Sequence, residues 1–212
     1  MDLEKIELIF EKFKQSNPIP RIELSYTNHF TLLIAIILSA RTTDVSVNKI
    51  TKELFGITDT PEKMLNLGQS GLKKYISSIG LYNSKAKNII ELSGILIERY
   101  NSKVPANFDD LVSLPGVGRK SANVFLNTGF SIPTLAVDTH VFRVSNRIGL
   151  IKEKDVFKTE KSLLDVVPKK YLLYAHRWLV LHGRYVCRAQ KPSCETCMIR
   201  DLCEFECKSY KI

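Results

Sequence analysis

The sequence predicts an all-α protein, on three observations: apolar residues recur at helical spacing along most of the chain, helix start and stop residues bracket those runs, and sustained apolar/polar alternation is missing. At 212 residues the chain suits one or two domains by the ~150-residue prior and is long enough to bury a core without disulfides. Leu3, Ile6, Phe10 and Phe13 mark the first apolar stripe. Phe30 to Ala40, interrupted only by Thr31 and Ser39, reads as a buried helix and falls short of the ~20 residues of a membrane span. Val47, Ile50 and Leu54 mark the next helix, and Thr60-Pro61-Glu62 sets a capping hydroxyl before proline at a first helical position. Ser70 is expected to cap a segment ending at Gly80, and Asn83-Ser84 to open the helix carrying Ala86, Ile89, Ile90, Leu96 and Tyr100. Asn107 caps a short helix through Leu111 that stops at Leu114-Pro115; Gly116-Val117-Gly118 then turns the chain and another helix begins near Arg119. The only strand-like stretch, Thr134 to Val137, is too short to build a sheet, and Trp178 with its aromatic neighbours reads as core.

Charge and cysteine depart from the ordinary. Thirty-one Lys plus Arg against 22 Asp plus Glu leaves +9, which favours a polyanionic partner. Residues 111 to 150 and 182 to 200 together hold six of the nine net charges. All five cysteines, Cys187, Cys194, Cys197, Cys203 and Cys207, fall in the last 26 residues. The start of the chain, Met1-Asp2-Leu3-Glu4-Lys5, lacks the basic and apolar regions of a secretory signal, so a cytoplasmic location is expected, with no membrane partner.

The Gly116-Val117-Gly118 turn carries chemistry as well as shape. Glycines at 116 and 118 allow backbone angles closed to other residues, so the amides there can converge on an anion, and a helix N-terminus adds unpaired N–H groups and partial positive charge. A phosphate oxygen could dock there without any base being read. Lys120 follows beside Arg119, and Asp138 comes eighteen residues later in Ala136-Val137-Asp138-Thr139-His140. Lysine attacks only as a free amine, and its ordinary pKa of ~10.4 leaves about one in a thousand in that form near neutral pH, so the surroundings have to favour the neutral form. Asp138 suits a proton acceptor or a carboxylate facing positive charge that develops on a sugar ring; the plain alternative is a helix N-cap. Four cysteines spaced by six, two and five residues could hold zinc or an iron-sulfur cluster, since thiolates suit both. His29, His140, His176 and His182 show no metal-ligand spacing.

Leu114-Pro115-Gly116-Val117-Gly118-Arg119-Lys120-Ser121-Ala122, with Val137-Asp138-Thr139-His140-Val141 and the cysteine spacing, closely resembles the helix-hairpin-helix DNA glycosylases, specifically the endonuclease III family. Leu38-Ser39-Ala40, Asp44 to Lys49 and Gly80-Leu81-Tyr82-Asn83-Ser84-Lys85 extend the likeness from about residue 25 to 205. The resemblance implies a two-lobed fold: a six-helix barrel with the hairpin over 23–132, and a helical domain of 1–22 and 133–212 with a C-terminal [4Fe-4S] loop. It implies a monomeric base excision repair enzyme, acting in the nucleoid if bacterial. Its substrate would be double-stranded DNA containing oxidised or ring-saturated pyrimidines or abasic sites.

By the same resemblance Lys120 attacks C1′ to form a Schiff base and Asp138 assists departure of the base, after which β-elimination cleaves on the 3′ side. Cys187, Cys194, Cys197 and Cys203 hold the cluster, which presents Arg188 and Lys191 to phosphates, while Gly116, Val117, Gly118 and Arg119 dock the backbone. Cys207 falls outside the pattern as a free thiol. Leu81 matches the wedge that fills the stack when a nucleotide is flipped out, a step that takes a few kcal/mol. At position 41 the family usually has glutamine, the residue that contacts the unpaired base, and this chain has Arg41. Arginine stacks and donates but cannot accept a hydrogen bond, which bears on opposite-base preference. Two rivals share these features. A mismatch adenine glycosylase has the cluster spacing but lacks the lysine, and a non-catalytic iron-sulfur DNA-binding protein would use Lys120 only to touch phosphate.

Overall fold

Residues 1–206 are described by the computed structural model, and they contain ten α-helices and no strand. The helices are α1 (Leu3–Ser16), α2 (His29–Ser39), α3 (Asp44–Ile57), α4 (Pro61–Ile76), α5 (Tyr82–Tyr100), α6 (Phe108–Ser113), α7 (Arg119–Phe130), α8 (Thr139–Ile148), α9 (Val156–Val166) and α10 (Lys169–Tyr185). Residues 134–137 run without strand pairing. Side-chain oxygens cap several N-termini where the sequence placed polar residues: Asp2, Asn28, Thr60 and Asn107 each accept from the amide three residues on. Cys207 lies outside the described residues.

The chain divides into two compact units, one of Glu23–Ser131 and one of Met1–Ile22 with Ile132–Ile212. The first holds α2 to α7. Its centre is α2, whose residues Phe30 to Leu38 are all buried against α3, α5 and α7, so the apolar run is a core helix. Two boundaries differ from the sequence reading. Helix α4 is broken at Gly68 (φ 69°, ψ 169°), a conformation open to glycine, and Ser70 lies within the helix rather than capping it. Helix α5 starts at Tyr82 after Leu81 in the left-handed region, with no side-chain cap, so Asn83 and Ser84 are already inside it.

In the second unit α1 lies on α10 and α10 on α8. The α1 stripe is Ile6, Ile9, Phe10 and Phe13, with Leu3 63% exposed in the first turn. Phe10 stacks on Tyr171 of α10 with centroids 5.6 Å apart, and burial of a ring this size contributes about 3 kcal/mol. Trp178 is core, as expected, and its indole N–H donates to the Asn17 carbonyl at 2.8 Å. At the α8–α10 contact Gly183 removes a side chain: a Cβ there would lie 2.8 Å from His140 Cβ and 3.0 Å from Val144 Cγ2. Close approach of the two helices therefore depends on that glycine, and the Cys187 loop begins four residues after it.

Candidate active site and cysteine loop

Helices α6 and α7 form the predicted helix-hairpin-helix. Asn107 Oδ1 accepts from the Asp110 amide at 2.8 Å, and the chain leaves α6 through extended Leu114 into Pro115. Gly116 has φ 82°, and a Cβ there would lie 3.0 Å from Asn88 Cβ on α5, so both backbone and space demand glycine. The Val117 amide donates to the Leu114 carbonyl at 3.1 Å and its side chain is buried, which anchors the turn. Gly118 differs from expectation: its φ of −94° and ψ of 173° are open to any residue, and nothing lies within 4 Å of its would-be Cβ. One left-handed residue suffices to reverse the chain here. No side chain caps α7, and its N-terminus carries the partial positive charge of the helix dipole. The Arg119 guanidinium sits 5.0 Å over the Phe108 ring, and Lys120 is exposed on the same turn.

Arg41 and Leu81, in the same unit, are both exposed and both left-handed, with φ of 56° and 61°. Leu81 is 59% exposed, so its side chain is not packed away against the helix that follows. Leucine and arginine adopt such angles against steric resistance, and strain of this kind gathers at functional sites.

Asp138, in the other unit, is the N-cap of α8: its Oδ1 accepts from the His140 and Val141 amides, both at 2.9 Å. The cap alternative is therefore realised, and it fixes the half-buried carboxylate at the head of the helix. Upstream, Ala136 O meets His176 Nδ1 at 2.8 Å, which holds the approach to Asp138 against α10.

Cys187, Cys194, Cys197 and Cys203 line one cavity of about 300 Å³, with Ile148, His182 and Phe205 among its walls. Among the described residues no three His, Cys, Asp or Glu side chains gather about one point as a single ion requires. The thiols have polar neighbours of their own. The Arg147 Nη1 donates to Cys187 Sγ at 3.8 Å, His182 Nε2 lies 3.7 Å from Cys197 Sγ, and the Phe205 amide donates to Cys203 Sγ at 3.4 Å. Burial pushes the His182 pKa down to about 4 and the Cys197 thiol up.

Arginines hold this loop in place. Arg147 donates to the carbonyls of Arg188 at 2.8 Å and Ala189 at 3.0 Å, and Arg143 to those of Cys187 at 3.2 Å and Gly183 at 2.8 Å. From α1, Lys12 reaches Asp201 at 2.7 Å and the Met198 carbonyl at 3.0 Å. Arg188 closes the short loop on itself through Lys191 O and Ser193 Oγ, and exposed Lys191 occupies its left-handed corner with φ 48°. In the sequence Arg143 and Arg147 enter only the net charge of residues 111 to 150; their spacing of four on α8 was the available sign that they share one task.

Residues 34–169 match the HhH-GPD superfamily of base excision DNA repair proteins. The chain belongs to that superfamily. Within HhH-GPD it is 59% identical over 205 residues to endonuclease III of Rickettsia prowazekii (strain Madrid E), covering 97% of each chain. It is 52% identical over 198 residues to endonuclease III of Escherichia coli (strain K12), covering 93% of this chain and 94% of the relative. The solved structure of a trapped endonuclease III–DNA covalent intermediate in an estranged-adenine complex matches with a TM-score of 0.90 at 41% identity over 96% of each chain. These likenesses put the chain in the endonuclease III family of HhH-GPD, as a bifunctional DNA glycosylase and abasic-site lyase of base excision repair.

Proposed function

We propose that this enzyme removes oxidised or ring-saturated pyrimidines from duplex DNA with Lys120 as its covalent nucleophile. One observation carries the reading: Lys120 presents an exposed amine on the first turn of an uncapped helix, directly after a glycine turn, in a chain whose relative was trapped bonded to DNA. A bond of that kind requires a nucleophile. The uncharged amine adds to C1′ as the C1′–N bond to the base breaks with its electron pair, and the base leaves protonated. Asp138 takes the ammonium proton that frees the Lys120 amine, or faces the developing positive charge on the sugar, and the proton lost by the nitrogen after it has bonded to C1′ passes to the departing base. Ring opening gives an iminium, loss of the C2′ proton expels the 3′ phosphate, and water releases the lysine.

Several further assignments go with this reading. Residues 23–132 form a six-helix barrel domain with the hairpin; 1–22 and 133–212 form the cluster domain. The hairpin from Gly116 to Arg119, with Val117 as its buried anchor, docks phosphate, and Arg188 and Lys191 add contacts from the cysteine loop. Leu81 enters the vacated stack and Arg41 meets the unpaired base.

The four cysteines suit a [4Fe-4S] cluster. Thiols set around a cavity rather than about a point fit one thiolate per iron, whereas a single zinc at ~2.3 Å draws its four ligands together. When bound, the cluster supplies a rigid charged core for the loop, and Arg147, His182 and the Phe205 amide sit near its thiolates. The enzyme acts as a monomer on DNA in the cytoplasm. Among the described residues no helix is long and apolar enough to cross a membrane.

The test is product analysis on a duplex carrying one 5,6-dihydrothymine. Release of the free base with a 3′ unsaturated aldehyde at the nick is expected. An intact strand, or a nick ending in a 3′ hydroxyl, overturns the reading.

A further inference from the structure

Lys85 lies on the first turn of α5, four residues after Leu81, and is only 5% exposed. Its ammonium donates to the carbonyls of Leu38 and Ala40, both at 2.8 Å, and to Thr42 Oγ1 at 3.2 Å. An ammonium has three N–H donors, and three acceptors take them. The Leu38 and Ala40 carbonyls belong to the last turn and C-cap of α2, where helix geometry leaves carbonyls without partners and the dipole end is negative. The Lys85 amide donates to the Leu81 carbonyl at 3.0 Å. The Lys85 side chain thus holds the 38–42 segment that carries Arg41, from a residue that the first backbone bond of α5 ties to the turn carrying Leu81.

Both held residues are exposed and left-handed, conformations that persist only where the surroundings over-determine them. Burial also lowers the Lys85 pKa, so its ammonium is kept against a desolvation penalty that an apolar residue of the same length would avoid. Packing alone does not call for it.

We propose that Lys85 is a positioning residue for DNA distortion, locking the Arg41 and Leu81 loops together so that both side chains meet the duplex already ordered. The proposal rests on the reading of Leu81 as wedge and Arg41 as the contact to the unpaired base. Neither residue gains from order alone; two loops ordered beforehand lose less conformational freedom on binding.

The test uses 2-aminopurine opposite a tetrahydrofuran abasic analogue in a duplex, whose fluorescence rises when the stack around it is opened. Lys85→Met keeps the length and removes the donors. It is expected to cut the fluorescence rise and the single-turnover rate of base release by on the order of tenfold. Affinity for undamaged duplex, and borohydride trapping on a single-stranded abasic oligonucleotide, should stay within about twofold, since neither needs the stack to be entered. Thr42→Val, which deletes one acceptor and keeps the shape, should give a smaller loss in the same direction. An unchanged fluorescence rise in folded Lys85→Met overturns the proposal, as does an unchanged rise in Thr42→Val if Lys85→Met does not fold. Equal losses in all readouts mean a structural role only and overturn it too. No rise with the unaltered protein removes the wedge reading itself, and the proposal with it.

Discussion

The guanidinium of Arg147 on α8 donates to the carbonyl of Arg188 at 2.8 Å, and so ties the helix that Asp138 caps to the cysteine loop. The same side chain reaches Ala189 O and Cys187 Sγ. Arg147→Met leaves all three without that donor. Loss of such a partner to a metal ligand weakens metal holding by about 10- to 100-fold. With the proposed [4Fe-4S] cluster bound, iron loss to a chelator is expected to speed up within that range, while far-UV circular dichroism stays helical. Unaltered iron loss would mean the loop holds its shape without Arg147.

Asp138 caps α8 and is assigned a role in base release, and asparagine separates the two. Asparagine caps as well as aspartate does, whereas alanine loses about 1 kcal/mol. Asp138→Asn should therefore keep its urea midpoint and slow base release by about 100-fold or more, the scale of a lost general acid-base group. Asp138→Ala should show the same slowing and the lower midpoint. A fast Asp138→Asn enzyme would leave the residue a cap and nothing more.

Gly183 is buried at the α8–α10 contact, where a Cβ would meet His140 and Val144 at 2.8 and 3.0 Å. Glycine to alanine within an unobstructed helix stabilises by roughly 1 kcal/mol. Here the crowding reverses the sign, and Gly183→Ala should destabilise by roughly 1–3 kcal/mol in urea unfolding. A gain in stability would show that the two helices are not held this closely.

Legibility in the sequence followed the range of the forces involved. Asn107, Pro115 and Gly116 act within a few residues, so the hairpin was readable from them, and the apolar run from Phe30 announced its own burial. A new segment was legible from Ser70, but not that the break falls two residues earlier at Gly68, because the apolar positions around it, Met64 and Leu72, keep the spacing of one helix across it. Lys85 was missed for a different reason. Its acceptors are 43 to 47 residues away in the chain, though its place one before Ala86 and four before Ile89 put it on the buried stripe. Arg143 and Arg147 count as +2 in any charge sum, yet their guanidiniums are turned to loop carbonyls. Charge is legible in a sequence; the direction in which it points is not.

Leu81 buries little and is left-handed, so its cost falls on the fold, and the use proposed for it is on DNA. Leu81→Gly relieves strain of roughly 1–2 kcal/mol and adds roughly 1 kcal/mol of unfolded-chain entropy. Thermal stability should be almost unchanged while base release falls. A matching fall in stability would place Leu81 in the core.

The proposed chemistry turns on a bond between Lys120 and a sugar carbon. Borohydride reduction of the holoenzyme mixed with abasic-site duplex, followed by proteolysis and mass spectrometry, tests it most directly. The adduct is expected on the peptide containing Lys120 and is absent from Lys120→Ala. An adduct that survives in Lys120→Ala, or none with the unaltered enzyme, would show that Lys120 is not the nucleophile.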